Sequence, residues 1–146
     1  MSWLKAMMEK EPPEPTNPIG IIVIGNLAPD LMDTPKEMVR KALKKAQFKT
    51  VDLGKNVPAK TFASKAKEVN ADIIAVSANL TSAKDNLQQL ISAIESEGLM
   101  GKVTVMIGGA AVTKEDAEKI CAVYGRAKED AVSIAKKVIE AKKASK

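Results

Sequence analysis

From residue 19 onward, short runs rich in Val and Ile alternate with segments that have the period of an amphipathic helix. The runs cover residues 19–24, 50–53, 72–77 and 103–107, and three of the four are almost continuously apolar. Strands of that composition are buried on both faces, as in a parallel sheet. Repeated strand-then-helix order therefore predicts an α/β domain with helices on both sides of a parallel sheet.

Helix-start signals lie between these runs. The first is a capping-box pattern formed by Thr34 and Glu37, with Pro35 at the first helical position. The others are Pro58, Ser82 with Asp85, and Thr113 with Asp116. A long last helix is predicted over 127–144. Right-handed crossovers leave few topologies for such a chain. We predict one Rossmann-like, doubly wound domain of the flavodoxin-like type, with five parallel strands in the order 2-1-3-4-5 and a short fifth strand at 122–124.

The absence of histidine narrows the chemistry. The 146-residue chain contains no His and one Cys, Cys121, so a His-ligated metal, a Ser/His/Asp triad, a Cys/His dyad and an internal disulfide are all excluded. No nucleophile paired with a base is visible, and we assign no catalytic residue. A stand-alone enzyme is therefore the least favoured of the functions considered below.

The charge pattern favours a solvated surface over a polyanion-binding one. The net charge is +5, and part of the excess lies in the last turns of the chain, at Lys136, Lys137, Lys142, Lys143 and Lys146. No aromatic residues are interleaved with these lysines, and cations suit a helix C-terminus, so we expect no nucleic-acid partner. No apolar run reaches the roughly 20 residues of a membrane span, and with a single thiol we expect a cytoplasmic protein.

We predict that residues 1–18 are a leader or linker and that residues 19–146 form the α/β domain. Residues 9–18 are rich in Pro and Glu and cannot hold a helix or a central strand. Before them, Trp3, Leu4, Met7 and Met8 would share one face of a short helix. That segment is either a frayed terminus or a lid or dimer contact, which leaves a homo-oligomer open.

Ligands of doubly wound sheets bind at the carboxyl ends of the strands, so the loops there carry the functional information. The informative loops are 25–34, 54–57, 77–82, 108–113 and 124–128. None of them contains G-x-G-x-x-G or a P-loop, so dinucleotide and P-loop phosphate sites lack their usual backbone cradle. A phosphoacceptor Asp is also missing at the end of the third strand, where Ser77 stands.

Four of these loops carry motifs in a characteristic order. They are Gly25-Asn26-Leu27-Ala28-Pro29-Asp30-Leu31-Met32-Asp33-Thr34-Pro35, Ser77-Ala78-Asn79-Leu80-Thr81, Gly108-Gly109-Ala110-Ala111-Val112-Thr113 and Tyr124-Gly125. From about residue 19 to 137 the chain resembles the cobalamin-binding domain of corrinoid proteins that serve methylamine, methanol and methoxy-aromatic methyltransferases, and of methionine synthase. The family patterns are D-x-H-x-x-G, S-x-L with a following Thr, and G-G.

The resemblance breaks at the axial ligand. In the family, the His of D-x-H-x-x-G occupies the lower axial position of cobalt and is hydrogen-bonded by the Asp. Here Asp30 is kept, Met32 stands at the His position, Pro35 replaces Gly, and Asn79 replaces Leu. Met32 is either a weak cobalt ligand or a packing residue, and the cofactor is expected base-on or without a protein axial ligand.

The remaining motif residues each carry two interpretations. Ser77 and Thr81 offer hydroxyls to the cofactor, although Thr81 or Ser82 is also expected to cap the third helix. Gly108 and Gly109 either flank the nucleotide tail or make a tight turn. Tyr124 either closes over the tail or belongs to the core. Asp30 either accepts hydrogen bonds from corrin amides or is solvated.

The resemblance implies a corrinoid carrier that delivers methyl groups for partner methyltransferases. The family's N-terminal helical cap does not fit in the 18 residues before the first run, so the reactive face would be open or covered by a partner. The alternative is a protein-interaction or regulatory module that keeps the fold without active cobalt. Cofactor occupancy distinguishes the two.

Overall fold

A computed structural model describes residues 10–145, and a five-stranded, all-parallel sheet forms its centre. The strands are β1 Ile21–Leu27, β2 Lys49–Val57, β3 Ile73–Ser77, β4 Thr104–Gly108 and β5 Val123–Tyr124. Their order is 2-1-3-4-5, which confirms the predicted topology. The apolar segment with Trp3, Leu4, Met7 and Met8 lies outside the described residues, as does Lys146.

Six helices connect and flank the strands in the described part of the chain. They are α1 Thr34–Lys45, α2 Ala59–Val69, α3 Thr81–Lys84, α4 Leu87–Ser96, α5 Lys114–Lys119 and α6 Lys128–Ala144. The single third helix expected from Ser82 is wrong. The chain instead forms a short turn of helix, breaks at residues 85–86, and restarts with Asn86 as the N-cap of α4.

Two helix layers cover the sheet. On one face α1 and α6 pack against Ile22, Ile24, Ile73, Ala75 and Met106. On the other face the buried side chains of α2, α3, α4 and α5 cover the remaining strand positions, including Val23, Ile74, Val76, Val105 and Ile107. Because β-branched residues fill alternate positions on both faces, the sheet is buried on both sides as the apolar runs predicted.

Two local expectations of the sequence differ from the structure. Thr34 is the first residue of α1 rather than its cap, since Asp33 is the N-cap and makes no side-chain cap bond; Glu37 pairs with Arg40 instead. Residues 54–57, expected as a loop, extend β2 through an irregular register in which Gly25 pairs with Gly54 and Leu27 with Val57. Gly54 accommodates this bulge at φ +89°. The capping box of Thr113 and Asp116 is confirmed.

Residues 10–18 run along α1 without forming a helix or strand of their own. Glu11 pairs with Arg40 and lies 2.7 Å from Nζ of Lys44, which also contacts Glu14 at 2.9 Å. The Pro- and Glu-rich stretch is therefore held against α1 by ion pairs. Within residues 10–145, no helix is both long and apolar enough to cross a membrane.

Candidate functional site

A cavity of about 710 Å³ opens between α1 and α6, where β1, β3 and β4 end. Ile24, Ala75 and Met106 form its apolar floor. Of the seven site residues predicted from the sequence, five line this cavity: Met32, Ser77, Gly108, Gly109 and Tyr124. Asp30 and Thr81 do not. A cavity of a size typical for small-molecule sites therefore lies at the carboxyl ends of the strands, where the ligand site was predicted.

Asp30 lies beneath the site and is fully buried, so its interpretation as a solvated residue is wrong. Its Oδ2 accepts hydrogen bonds from Nδ2 of Asn26 at 3.0 Å and from both the backbone N–H and Nδ2 of Asn79 at 2.9 Å. Its Oδ1 accepts from the backbone N–H of Met32 at 3.0 Å. Four donors thus compensate the cost of burying this carboxylate.

Asn79 joins three loops through one side chain. Besides Asp30, its Nδ2 lies 3.2 Å from the carbonyl oxygen of Met32 and 3.2 Å from Oγ of Ser77. Its Oδ1 accepts from the backbone N–H of Ala110 at 2.9 Å. In the sequence, Asn79 stands out only as a departure from S-x-L, and its bridging role was missed. The available signal was a short amide side chain at a strand end, on a loop predicted to lie next to the loop that contains Asp30.

Asn26 is a second amide that the sequence did not single out. It is fully buried, and its Nδ2 donates to Asp30 and, at 3.0 Å, to the carbonyl oxygen of Met32. Its Oδ1 is buried and has no hydrogen-bond partner among the described residues. Turning the amide over would place that oxygen against the carboxylate, so the orientation is fixed by its neighbours. An Asn within an otherwise apolar strand was the available signal.

Met32 lies at the cavity with 54% of its surface exposed. Its backbone is held from both sides, since its N–H donates to Asp30 and its carbonyl accepts from Asn26 and Asn79. Among residues 10–145, no group of three or more His, Cys, Asp or Glu side chains is placed to hold a metal ion. Because its backbone is held by these hydrogen bonds, Met32 presents a soft, neutral thioether from a fixed loop.

The paired glycines are required by contacts within the protein itself. A Cβ on Gly108 would lie 2.6 Å from the carbonyl oxygen of Gly125, and one on Gly109 would lie 2.3 Å from that of Ala78. Gly109 also has φ +116°, which side chains rarely adopt. The tight-turn interpretation thus holds, and the same glycines keep the cavity wall free of side chains.

Ser77, Thr81 and Tyr124 differ in their placement. Ser77 is buried at the cavity with its Oγ accepting from Asn79. Thr81 is exposed and begins α3; the expected cap from Thr81 or Ser82 is wrong, because Leu80 is the N-cap and no side chain bonds the helix end. Tyr124 is half-buried, packs against the core and also lines the cavity, so it belongs to the core, and its closing over a tail stays a prediction.

Charge beside the cavity is largely neutralised within α1 and β2. Lys36 is buried, and its Nζ lies 2.8 Å from Asp52 and 2.8 Å from Glu37. Arg40, helped by Lys36, lowers the pKa of Glu37 from 4.5 to about 2. This cluster is a structural ion-pair network rather than a set of free acids and bases. Arg126 and Lys128 add positive charge at the opposite wall.

Comparison with known proteins gives consistent matches. Residues 20–135 match the model of the B12 binding domain. The chain is 43% identical over 131 residues to trimethylamine corrinoid protein 1 of Methanosarcina mazei, covering 89% of this chain and 60% of that protein. It is 41% identical to dimethylamine corrinoid protein 3 of the same organism, covering 83% of this chain and 73% of that one. The chain therefore spans about three fifths of the length of the first of these relatives.

Solved structures agree on the fold. A cobalamin-binding protein from Desulfitobacterium hafniense superposes with a TM-score of 0.78 at 32% identity, covering 82% of this chain and 58% of that one. The methanol:cobalamin methyltransferase complex from Methanosarcina barkeri gives 0.80 at 24% identity, with coverage of 85% and 48%. The second likeness shows the fold alone.

Proposed function

The chain belongs to the B12-binding domain family, and on that premise we propose that it binds a corrinoid and carries it for partner methyltransferases. The relatives that support this are trimethylamine and dimethylamine corrinoid proteins. The observation that carries the proposal is the cavity at the carboxyl ends of β1, β3 and β4, lined by five of the seven site residues predicted from the sequence. The partners follow from the family and are part of the proposal.

The residues at the cavity fit a corrinoid with an extended nucleotide tail. The cavity volume of about 710 Å³ lies within the range of about 300–1,000 Å³ for small-molecule pockets. Glycines leave its wall open, and its floor is apolar. Next to the lining residues along the chain, Leu31 and Leu80 are 62% and 41% exposed, which suits the broad apolar face of a macrocycle.

Each residue has a role in holding such a group. Gly108 and Gly109 would flank the tail, and Tyr124 would stack or close beside it. Ser77 accepts from Asn79 and keeps its own hydroxyl hydrogen to donate to an acceptor in the cavity. Met32 offers a neutral thioether, a weak ligand for cobalt at most. Bound there, the cofactor would supply a cobalt centre that takes up and releases a methyl group.

The protein's own part is positioning, not bond making. With no histidine in the chain, and with Asp30 held by four hydrogen bonds and Glu37 by ion pairs, neither of these two acids is set up as a general base or nucleophile. We therefore propose a carrier whose substrate chemistry takes place on partner enzymes. We also propose the cytoplasm as its compartment.

The proposal is tested with a corrinoid that has the tail and one that lacks it. Ala131 is buried on α6 and lines the cavity, so Ala131→Leu fills part of the space assigned to the tail. Titration followed in the visible spectrum should show cobalamin affinity falling at least tenfold in the variant, while affinity for tail-less cobinamide changes little. Equal loss of both corrinoids, or loss of neither, would contradict the assigned tail site. Circular dichroism melts check that the variant is folded.

A further inference from the structure

Two of the three departures from the family motifs, Met32 and Asn79, meet at one carboxylate. The backbone N–H of Met32 binds Oδ1 of Asp30, and the side-chain amide of Asn79 binds Oδ2. The same amide also donates to the carbonyl oxygen of Met32. Although 47 residues separate the two positions in sequence, they are therefore linked both directly and through Asp30.

The carboxylate of Asp30 has little capacity left. It accepts four hydrogen bonds, which is about the number of lone-pair sites on its two oxygens, and three of the four donors crowd Oδ2. Two of those three come from Asn79. A further donor that approaches Oδ2 from position 32 would have to displace one of them, whereas Oδ1 accepts only from the backbone N–H of Met32.

We propose that Asn79 is a positioning residue that commits Oδ2 of Asp30 to the protein's own loops, so that a side chain at position 32 cannot use that oxygen. Met32 and Asn79 then form a coupled pair. Because the side-chain amide of Asn79 occupies Oδ2 of Asp30, position 32 holds Met, whose side chain needs no hydrogen bond. This inference rests on the proposed function only where it concerns cobalt. The coupling of positions 32 and 79 through Asp30 is a property of the apo-protein.

The pair predicts that an axial histidine cannot be restored by one substitution. In Met32→His the imidazole lacks Oδ2 of Asp30 to orient it, because Asn79 still occupies that oxygen. In Met32→His/Asn79→Leu, the side-chain amide is gone while the backbone N–H at 79 remains, which frees part of Oδ2 for the imidazole. Oriented imidazoles are better metal ligands than free ones.

The apo-protein test is a double-mutant cycle in urea. The equilibrium constants for unfolding of the original chain, the two single variants and the double variant should show coupling between positions 32 and 79 of about fivefold, with the double more stable than additivity allows. Asn86→Leu is the matched control: Asn86 donates to the carbonyl oxygen of Ala28 at 2.7 Å on the same loop without contacting Asp30. Met32→His and Asn86→Leu should be additive. Additive effects at 32 and 79 would overturn the proposal.

The cobalt test uses cobinamide, which has no benzimidazole. Since the chain has no other histidine, nitrogen ligation of reduced, paramagnetic cobinamide reports only on the imidazole introduced at position 32. Electron paramagnetic resonance should show the nitrogen splitting in the double variant and not in Met32→His. Splitting in both variants, or in neither, would overturn the proposal. If no variant retains cobinamide, the unfolding cycle alone decides the coupling, and retention of cobalamin by the original chain decides the proposed function.

Discussion

A Cβ added to Gly109 would lie 2.3 Å from the carbonyl oxygen of Ala78. The exits of β3 and β4 are thus in backbone contact, and the N–H of Ala78 also donates to the carbonyl oxygen of Gly108 at 2.9 Å. This contact holds two cavity-lining loops together before any ligand is bound. The cavity wall is therefore built into the fold.

Gly109→Ala should destabilise the apo-protein by about 2–4 kcal/mol, because it combines a forbidden φ with a collision against backbone that cannot move away cheaply. Chemical denaturation measures the change. Gly98→Ala is the matched control: Gly98 has φ +73° but nothing within 4 Å of an added Cβ, so the cost should be only about 1 kcal/mol. Equal costs at the two sites would show that the contact with Ala78 is unimportant.

Asp30→Asn should cost about 2–3 kcal/mol, since it exchanges an acceptor of four hydrogen bonds for a group with one acceptor oxygen. The new NH₂ would face donors from Asn26 or Asn79. In Asp33→Asn the side chain makes no cap bond to begin with, and the change should stay within about 0.5 kcal/mol. Thermal melts of both variants compare them. A cost at Asp30 no larger than at Asp33 would refute the buried network.

Stability should fall in acid as the Glu37 carboxylate titrates. Arg40 and Lys36 lower its pKa from 4.5 to about 2, so between these values the unfolded chain binds more protons than the folded one. The stabilisation is complete above about pH 4.5 and is lost as the pH falls towards 2. With screening at a partly exposed site, the contribution is about 1 kcal/mol. Glu37→Gln should flatten the pH dependence of the urea midpoint in this window.

Protonation of Glu11 should also lower stability as the pH falls from about 4.5 towards 2, because Arg40 and Lys44 lower its pKa from 4.5 to about 2. Its side chain is 45% exposed, so the energetic effect is smaller than at Glu37. Glu11→Gln should release residues 10–18 from α1, seen as faster proteolysis before Ile19. Glu14→Gln leaves both Glu11 ion pairs in place and serves as the control. Equal proteolysis of the two variants would show that Glu11 does not hold the segment.

The fold followed from the sequence because its signals are local. Val and Ile runs bounded by helix starts specify buried parallel strands, and the family motifs placed five of seven site residues at one cavity. The errors arose where a competing contact, within a helix or between strands, overrides the expected local pattern. Thr34 looked like a cap, but Arg40 draws Glu37 away, and the bulge at Gly54 extends β2 beyond its apolar run.

The polar network under the site could not be derived from spacing. Asn26 lies in β1, and Asp30 and Asn79 lie on the loops that follow β1 and β3; only the β1–β3 pairing, in which Asn26 stands opposite Ser77, brings the three together. In the sequence, Asp30 and Asn79 are ordinary turn residues, and Asn26 is a single polar residue in an apolar run. Their hydrogen bonds, and the burial of Asp30 that goes with them, are properties of the folded chain alone.

The central claim is that this chain binds a corrinoid with the tail in the cavity. The most direct measurement is to incubate the purified protein with hydroxocobalamin, pass it through a desalting column, and record the visible spectrum and protein content of the retained fraction. We predict close to one corrinoid per chain with a base-off spectrum, because the tail is held away from cobalt. A base-on spectrum would contradict the tail assignment, and no retention would contradict corrinoid binding itself.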